Sequence, residues 1–230
     1  MSLLLLTCVL FFHAVNVGAE PTHDCLGFKQ FNSKDPYETN LNELMNYLMK
    51  DTPPTGFGLG SKGQGQDTTH GLALCVGDIS PMKCMSCLTN ATNEIRSLCP
   101  YSKGAVIWRS FCLLKYSDEN YFGQIDKQIH SKVIDKENVS DPVSFSQKTN
   151  NFLMQLVNNA SVAPKMQAKS SMRFGESKVV GSIAACTRDL SSVDCAQCLR
   201  KSIEELPKCC AGKRAASVYS ASCVTAYETF

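Results

Sequence analysis

Five cysteines recur twice at one spacing. Positions 75, 84, 87, 99 and 112 are separated by 9, 3, 12 and 13 residues, and positions 186, 195, 198, 210 and 223 repeat those intervals at a constant offset of 111. The residues between also agree: Cys75-Val-Gly-Asp-Ile-Ser-Pro-Met-Lys-Cys84-Met-Ser-Cys87-Leu88 stands against Cys186-Thr-Arg-Asp-Leu-Ser-Ser-Val-Asp-Cys195-Ala-Gln-Cys198-Leu199. Four matching intervals identify a tandem duplication, with each half near the usual size of a domain.

The N-terminus decides what these cysteines are for. An apolar run from Leu3 to Phe12, broken only by Thr7, is followed by the small residues Val17-Gly18-Ala19, the pattern of a signal peptide over residues 1–19. The run is too short to span a bilayer, and no later stretch approaches 18 consecutive apolar residues, so no membrane span is expected. Cleavage after Ala19 would remove Cys8 and leave twelve of the thirteen cysteines, an even number in a secreted chain, which means disulfides. The CxxC pairs Cys84/Cys87 and Cys195/Cys198 could instead hold zinc or a redox dithiol. Zinc needs four convergent ligands in each repeat, and the four histidines, at 13, 23, 70 and 130, leave the second half with none. A redox pair fits poorly with a secreted context and so many companion cysteines.

Charge narrows the partners. Against 21 acidic residues stand 23 basic ones, a formal charge of +2, which supplies no field for nucleic acid. The second half alone is mildly basic and reads as a solvated face.

Each half reads as two helices plus short strands. Ser80-Pro81 caps a helix whose buried face carries Cys84, Cys87, Leu88, Ala91, Ile95 and Leu98; Ser191 with Asp194 does the same before Cys195, Cys198, Leu199 and Leu206. An earlier helix is marked by Leu41, Leu44, Met45 and Leu48 and is expected to stop at Asp51-Thr52-Pro53-Pro54. Its counterpart carries Phe152, Leu153, Leu156 and Val157. The glycines from Gly56 to Gly65 read as a turn, and Ala105–Trp108 with Phe111–Tyr116 as a strand pair. The expected class is α+β, two tandem disulfide-rich domains of helices on an antiparallel sheet. The expected boundaries are a first domain over 20–121, a linker with a possible first strand over 122–141, and a second domain over 142–230.

With Gly71-Leu-Ala-Leu-Cys75, Ile107-Trp-Arg-Ser-Phe-Cys112-Leu-Leu-Lys-Tyr116 and Cys209-Cys210-Ala-Gly-Lys-Arg214, the repeated C-x8-C-x2-C pattern resembles the plant cysteine-rich repeat secretory proteins. Those carry two ginkbilobin-like, stress-antifungal domains. The resemblance spans essentially the whole mature chain, and the same domain pair forms receptor-like kinase and plasmodesmal ectodomains. It implies two helices on a five-stranded sheet per domain, and the pairs Cys25–Cys99, Cys75–Cys84, Cys87–Cys112, Cys186–Cys195 and Cys198–Cys223. Cys210 then aligns with Cys99 but lacks a partner, since no cysteine stands near Ser131 where one is expected. Cys209 is extra, at the position of Leu98, read as core-facing. Vicinal pairing, pairing elsewhere and free thiols are all open to these two, which are left unassigned.

The resemblance also implies a sugar site. The single-domain antifungal member binds mannose through an Asn, an Arg and a Glu, whose positions here hold Leu26, Val106 and Ser117 in the first half. In the second, the Arg position is Ser217 and the Asn position cannot be placed. Glu228 alone retains the family residue, and otherwise reads as an exposed carboxylate near the C-terminus. Arg214, three residues short of the Arg position, is expected to face the other side of its strand. No Ser-His-Asp order, HExxH or phosphate loop occurs, and no cofactor is implied. Glycosylation acceptors stand at Asn90, Asn138 and Asn159. The reading is a secreted, apoplastic, non-enzymatic interaction protein of plant stress or defence, binding protein or cell-wall glycan partners; the alternative is a mannose-binding antifungal protein.

Overall fold

The computed structural model describes residues 22–27, 29–175 and 178–230; the signal-peptide segment lies outside them. In the first half the elements run β1 (Thr22–Cys25), α1 (Pro36–Thr55), β2 (Phe57–Lys62), β3 (Thr69–Cys75), α2 (Pro81–Leu98), β4 (Ala105–Arg109) and β5 (Cys112–Ser117). The second half repeats them as β6 (Ser131–Ile134), α3 (Pro142–Val162), β7 (Gln167–Phe174), β8 (Lys178–Cys186), α4 (Ser192–Cys209), β9 (Ala215–Tyr219) and β10 (Cys223–Thr229). The sheets have equivalent orders, β1-β4-β5-β3-β2 and β6-β9-β10-β8-β7, with every pair antiparallel. The α+β class and the five-stranded sheets are as expected.

The helices form where capping and spacing direct. The Ser80 hydroxyl accepts from the Lys83 N–H at 3.3 Å, and Ser191 accepts from the Asp194 N–H at 3.1 Å. Behind these caps Cys84, Cys87, Leu88, Ala91 and Ile95 turn inward on α2, and Cys195, Cys198, Leu199, Ile203 and Leu206 on α4. Leu98 does not: it is 39% exposed, because the helix turns it past the edge of the core stripe.

Two loop expectations are corrected. Helix α1 does not stop at Pro53-Pro54 but runs to Thr55. Thr52 and Pro53 are buried, and left-handed Gly56, at φ 78°, closes the turn with its N–H on the Thr52 carbonyl at 2.7 Å. Most of the glycine run is strand: Phe57–Lys62 form β2, and only Gly63 to Gly65, both glycines at positive φ, turn the chain toward β3. A Cβ at Gly58 would lie 2.3 Å from Thr52 Oγ1, and one at Gly60 2.7 Å from the Tyr47 ring, so β2 dispenses with side chains to let α1 lie directly on it.

Six disulfides join the described cysteines: Cys25–Cys99, Cys75–Cys84, Cys87–Cys112, Cys186–Cys195, Cys198–Cys223 and the vicinal Cys209–Cys210. Strand register explains the last. Cys25 pairs with Ala105 and Ile134 with Ala216, so the counterpart of Cys25 is Ile134, not a residue near Ser131. Ile134 stands 109 residues after Cys25 rather than 111, the inter-repeat segment being two residues shorter than the cysteine offset suggests. With isoleucine there, Cys210 closes on its neighbour.

Candidate interaction cleft

Strand alternation gives each sheet a helix-covered face and a second face, and the two halves use the second face differently. In the first half it carries Leu72, Leu74, Val106, Trp108 and Leu113, which form one buried cluster with Ala221 of the β9–β10 turn. The Trp108 indole N–H donates to the Ser220 carbonyl at 3.1 Å, and the Tyr219 ring lies 5.9 Å from the indole. The segment between the repeats is wedged in alongside. The Lys115 ammonium lies 4.0 Å above the Tyr121 ring and 3.9 Å from Asp126, and Ser222 Oγ accepts from the Asp126 N–H at 2.9 Å.

His130, its side chain only 3% exposed, bridges both sides: Nδ1 lies 2.7 Å from Asp24 of β1 and Nε2 3.0 Å from Asp126. Burial works against the imidazolium, but the hydrogen bonds to Asp126 and Asp24 outweigh it and raise its pKa. Further contacts come from Arg188, which donates to the Thr55 carbonyl at 2.8 Å, and from an ion pair of Lys169 with Asp78. The halves therefore meet across a packed interface, and the stretch read as a linker is largely part of it.

The corresponding face of the second sheet stays partly open. Ile183, Ala185, Ser217, Tyr219, Val224, Ala226 and Glu228 line a cleft of about 470 Å³, whose opposite wall includes Leu74, Trp108 and Leu113. Glu228 is half-buried on β10 rather than fully exposed, because the strand places it on the cleft face. One of its carboxylate oxygens is out of solvent with no hydrogen-bond partner. Burial pushes its carboxyl above the usual range; Arg214 pulls it down and Asp135 adds to the rise.

The sugar-site positions fall accordingly. In the first half Val106 is fully buried beneath the second half and Leu26 packs on the same cluster, leaving no polar pocket. In the second, Ser217 and Glu228 lie on adjacent strands, Glu228 opposite Ala215, one diagonal step apart on one face. The Asn position, unplaceable by sequence, is Asp135, directly after Ile134. Arg214 is not on a strand: it precedes β9, where alternation does not apply, and it pairs with Glu137 within the electrostatic reach of Glu228. Sequence reading missed Asp135 because the cysteine that would have marked its place is absent, and missed the role of Trp108 because an aromatic residue on a strand carries no sign of which repeat will cover it.

Asn90 on α2, Asn138 before α3 and Asn159 on α3 are all exposed, and none lines the cleft. All twelve described cysteines are in disulfides, so no thiol among the described residues is available as a nucleophile.

The family model described as salt stress response/antifungal matches residues 24–119 and again 132–230. The chain belongs to this family. It is 43% identical to the antimicrobial ginkbilobin-2-like protein of Castanea crenata, covering 100% of this chain and 95% of that one. It is 40% identical to cysteine-rich repeat secretory protein 38 of Arabidopsis thaliana, covering 90% and 83%. Among solved structures, the tandem DUF26 ectodomain of the Arabidopsis thaliana cysteine-rich receptor-like protein PDLP8 superposes with a TM-score of 0.78 at 25% identity, covering 90% of this chain and 96% of that one. As a member of this family the protein is a secreted, extracellular protein of plant stress and defence. No helix among the described residues is long and apolar enough to cross a membrane.

Proposed function

We propose that the protein is a non-enzymatic interaction module of the apoplast, with a first domain over residues 20–121, a segment over 122–141 that carries the first strand of the second domain, and the rest of that domain over 142–230, and that it engages protein or cell-wall partners through the open face of its second sheet. One observation carries this reading: duplication produced two equivalent faces, and the interface consumes that of the first repeat while leaving that of the second accessible. The acceptors Asn90, Asn138 and Asn159, taken as glycosylated, lie outside that cleft and would leave it unobstructed.

A carbohydrate-binding antifungal role is the second reading. It is favoured by the gathering of Asp135, Arg214 and Glu228 at one end of the second sheet, a carboxylate-and-cation set able to bracket vicinal hydroxyls, and by the name of the Castanea relative. A glycan array with mannose competition separates the two. Binding to extracellular proteins that ignores mannose and is lost in Ala226→Arg, with an unchanged melting temperature, fits the first. Mannose-competable glycan binding lost in Glu228→Ala would replace it with the second.

A further inference from the structure

We infer that the floor of the cleft is a binding site for a small neutral amphiphile, with an apolar body and a single hydroxyl or amine at one end. The volume, about 470 Å³, lies within the range of small-molecule sites. The walls are chiefly apolar: Leu74, Trp108 and Leu113 on one side face Ile183, Val224 and Ala226 on the other. A sugar would leave its hydroxyls unpaired against them, whereas an aromatic or aliphatic body would be buried at a gain.

The polar end is set by Glu228. Val224, Ala226 and Glu228 follow one another along the same face of β10, so the apolar stripe ends at a carboxylate roughly 13 Å from its start, at about 3.4 Å per residue. Glu228 is half-buried in the lining of the cleft, so its carboxylate is the acceptor offered at that end of the stripe. Charge along the lining balances: Lys169 is paired with Asp78 and Arg109 with Glu94, and the remaining cation, Lys83, offsets Glu228, so no net charge selects an ionic ligand. The inference rests on the same open face as the interaction reading, but its test contains no macromolecular partner, so the two can fail separately.

The test uses N-phenyl-1-naphthylamine, a neutral fluorescent amphiphile with one N–H donor, titrated into the secreted, disulfide-intact protein. Trp108 is the chain's single tryptophan and lines the cleft, so energy transfer from it reports where the probe sits. Saturable 1:1 binding with quenching of Trp108 is expected, weakened about tenfold by Glu228→Ala through the lost hydrogen bond and abolished by Ala226→Phe, which fills the stripe. Melting curves establish that the variants fold, and Val224→Phe provides the same block should Ala226→Phe not fold. No saturable binding by the wild type, or full affinity in a folded cleft-filling variant, overturns the inference.

Discussion

The two repeats share strand order, the serine cap of the second helix and four cysteine intervals, yet the same sheet face is an interior in one and a surface in the other. Leu113 and Val224 occupy equivalent positions on β5 and β10; Leu113 is 4% exposed inside the inter-repeat cluster, while Val224 is only partly buried, in the lining of the cleft. Lys115 lies under Tyr121 in the interface, and its counterpart Ala226 lines the cleft. One copy of the face is thus an interior between the repeats, and the other lines an open cleft. The staples diverged with them. Cys25–Cys99 ties the edge strand of the first sheet to the end of α2, whereas the second sheet holds its edge strand β6 without a disulfide, by its ladder to β9 and the Lys132–Glu205 ion pair to α4, with Cys210 turned to Cys209.

The largest expected effect concerns that asymmetry. Replacing Cys25 and Cys99 together by serine opens a link of sequence separation 74, for which the chain-entropy model gives roughly 4.5 kcal/mol. Replacing Cys209 and Cys210 releases almost no loop and should cost only about 1 kcal/mol. Denaturant unfolding of the two double variants checks the contrast, and equal losses would show that the vicinal bridge does more than close a ring.

Next come the faces themselves. Leu113→Ala should cost about 3 kcal/mol as a buried truncation, and its counterpart Val224→Ala less than about 1 kcal/mol. Similar costs in thermal melts would break the distinction between anchoring and open faces.

A smaller effect follows from the His130 bridge. Because its folded pKa is raised, its contribution is fully present below the ordinary value of 6.5 and is lost as pH rises through the raised value. The melting temperature of the wild type should therefore fall relative to that of His130→Gln as pH climbs above neutrality. Parallel profiles would show that the imidazolium is not coupling Asp24 to Asp126.

Much of this was legible in the sequence because cysteine spacing and helix caps are local or periodic signals. Ser80, Ser191 and the inward stripe of α2 needed only neighbours three and four residues away. The glycine strand β2 was not legible: Gly58 and Gly60 are there for the approach of α1, a tertiary demand that in sequence looks like turn chemistry. Glu228 was visible as a candidate, but its half-burial was not, because nothing in β10 announces that the opposite wall comes from the other repeat. Asp135 could be placed only by strand register, once Ile134 was seen opposite Ala216.

The central claim is that the free face of the first sheet is closed by the second repeat, and the single tryptophan reads it directly. Acrylamide quenching of Trp108 in the native protein should be weak and its emission blue-shifted, becoming solvent-like only on global unfolding, since the indole is 3% exposed and bonded to Ser220. Native-state quenching as efficient as that of a free indole would contradict the account, because the two repeats would then not be packed together across that face.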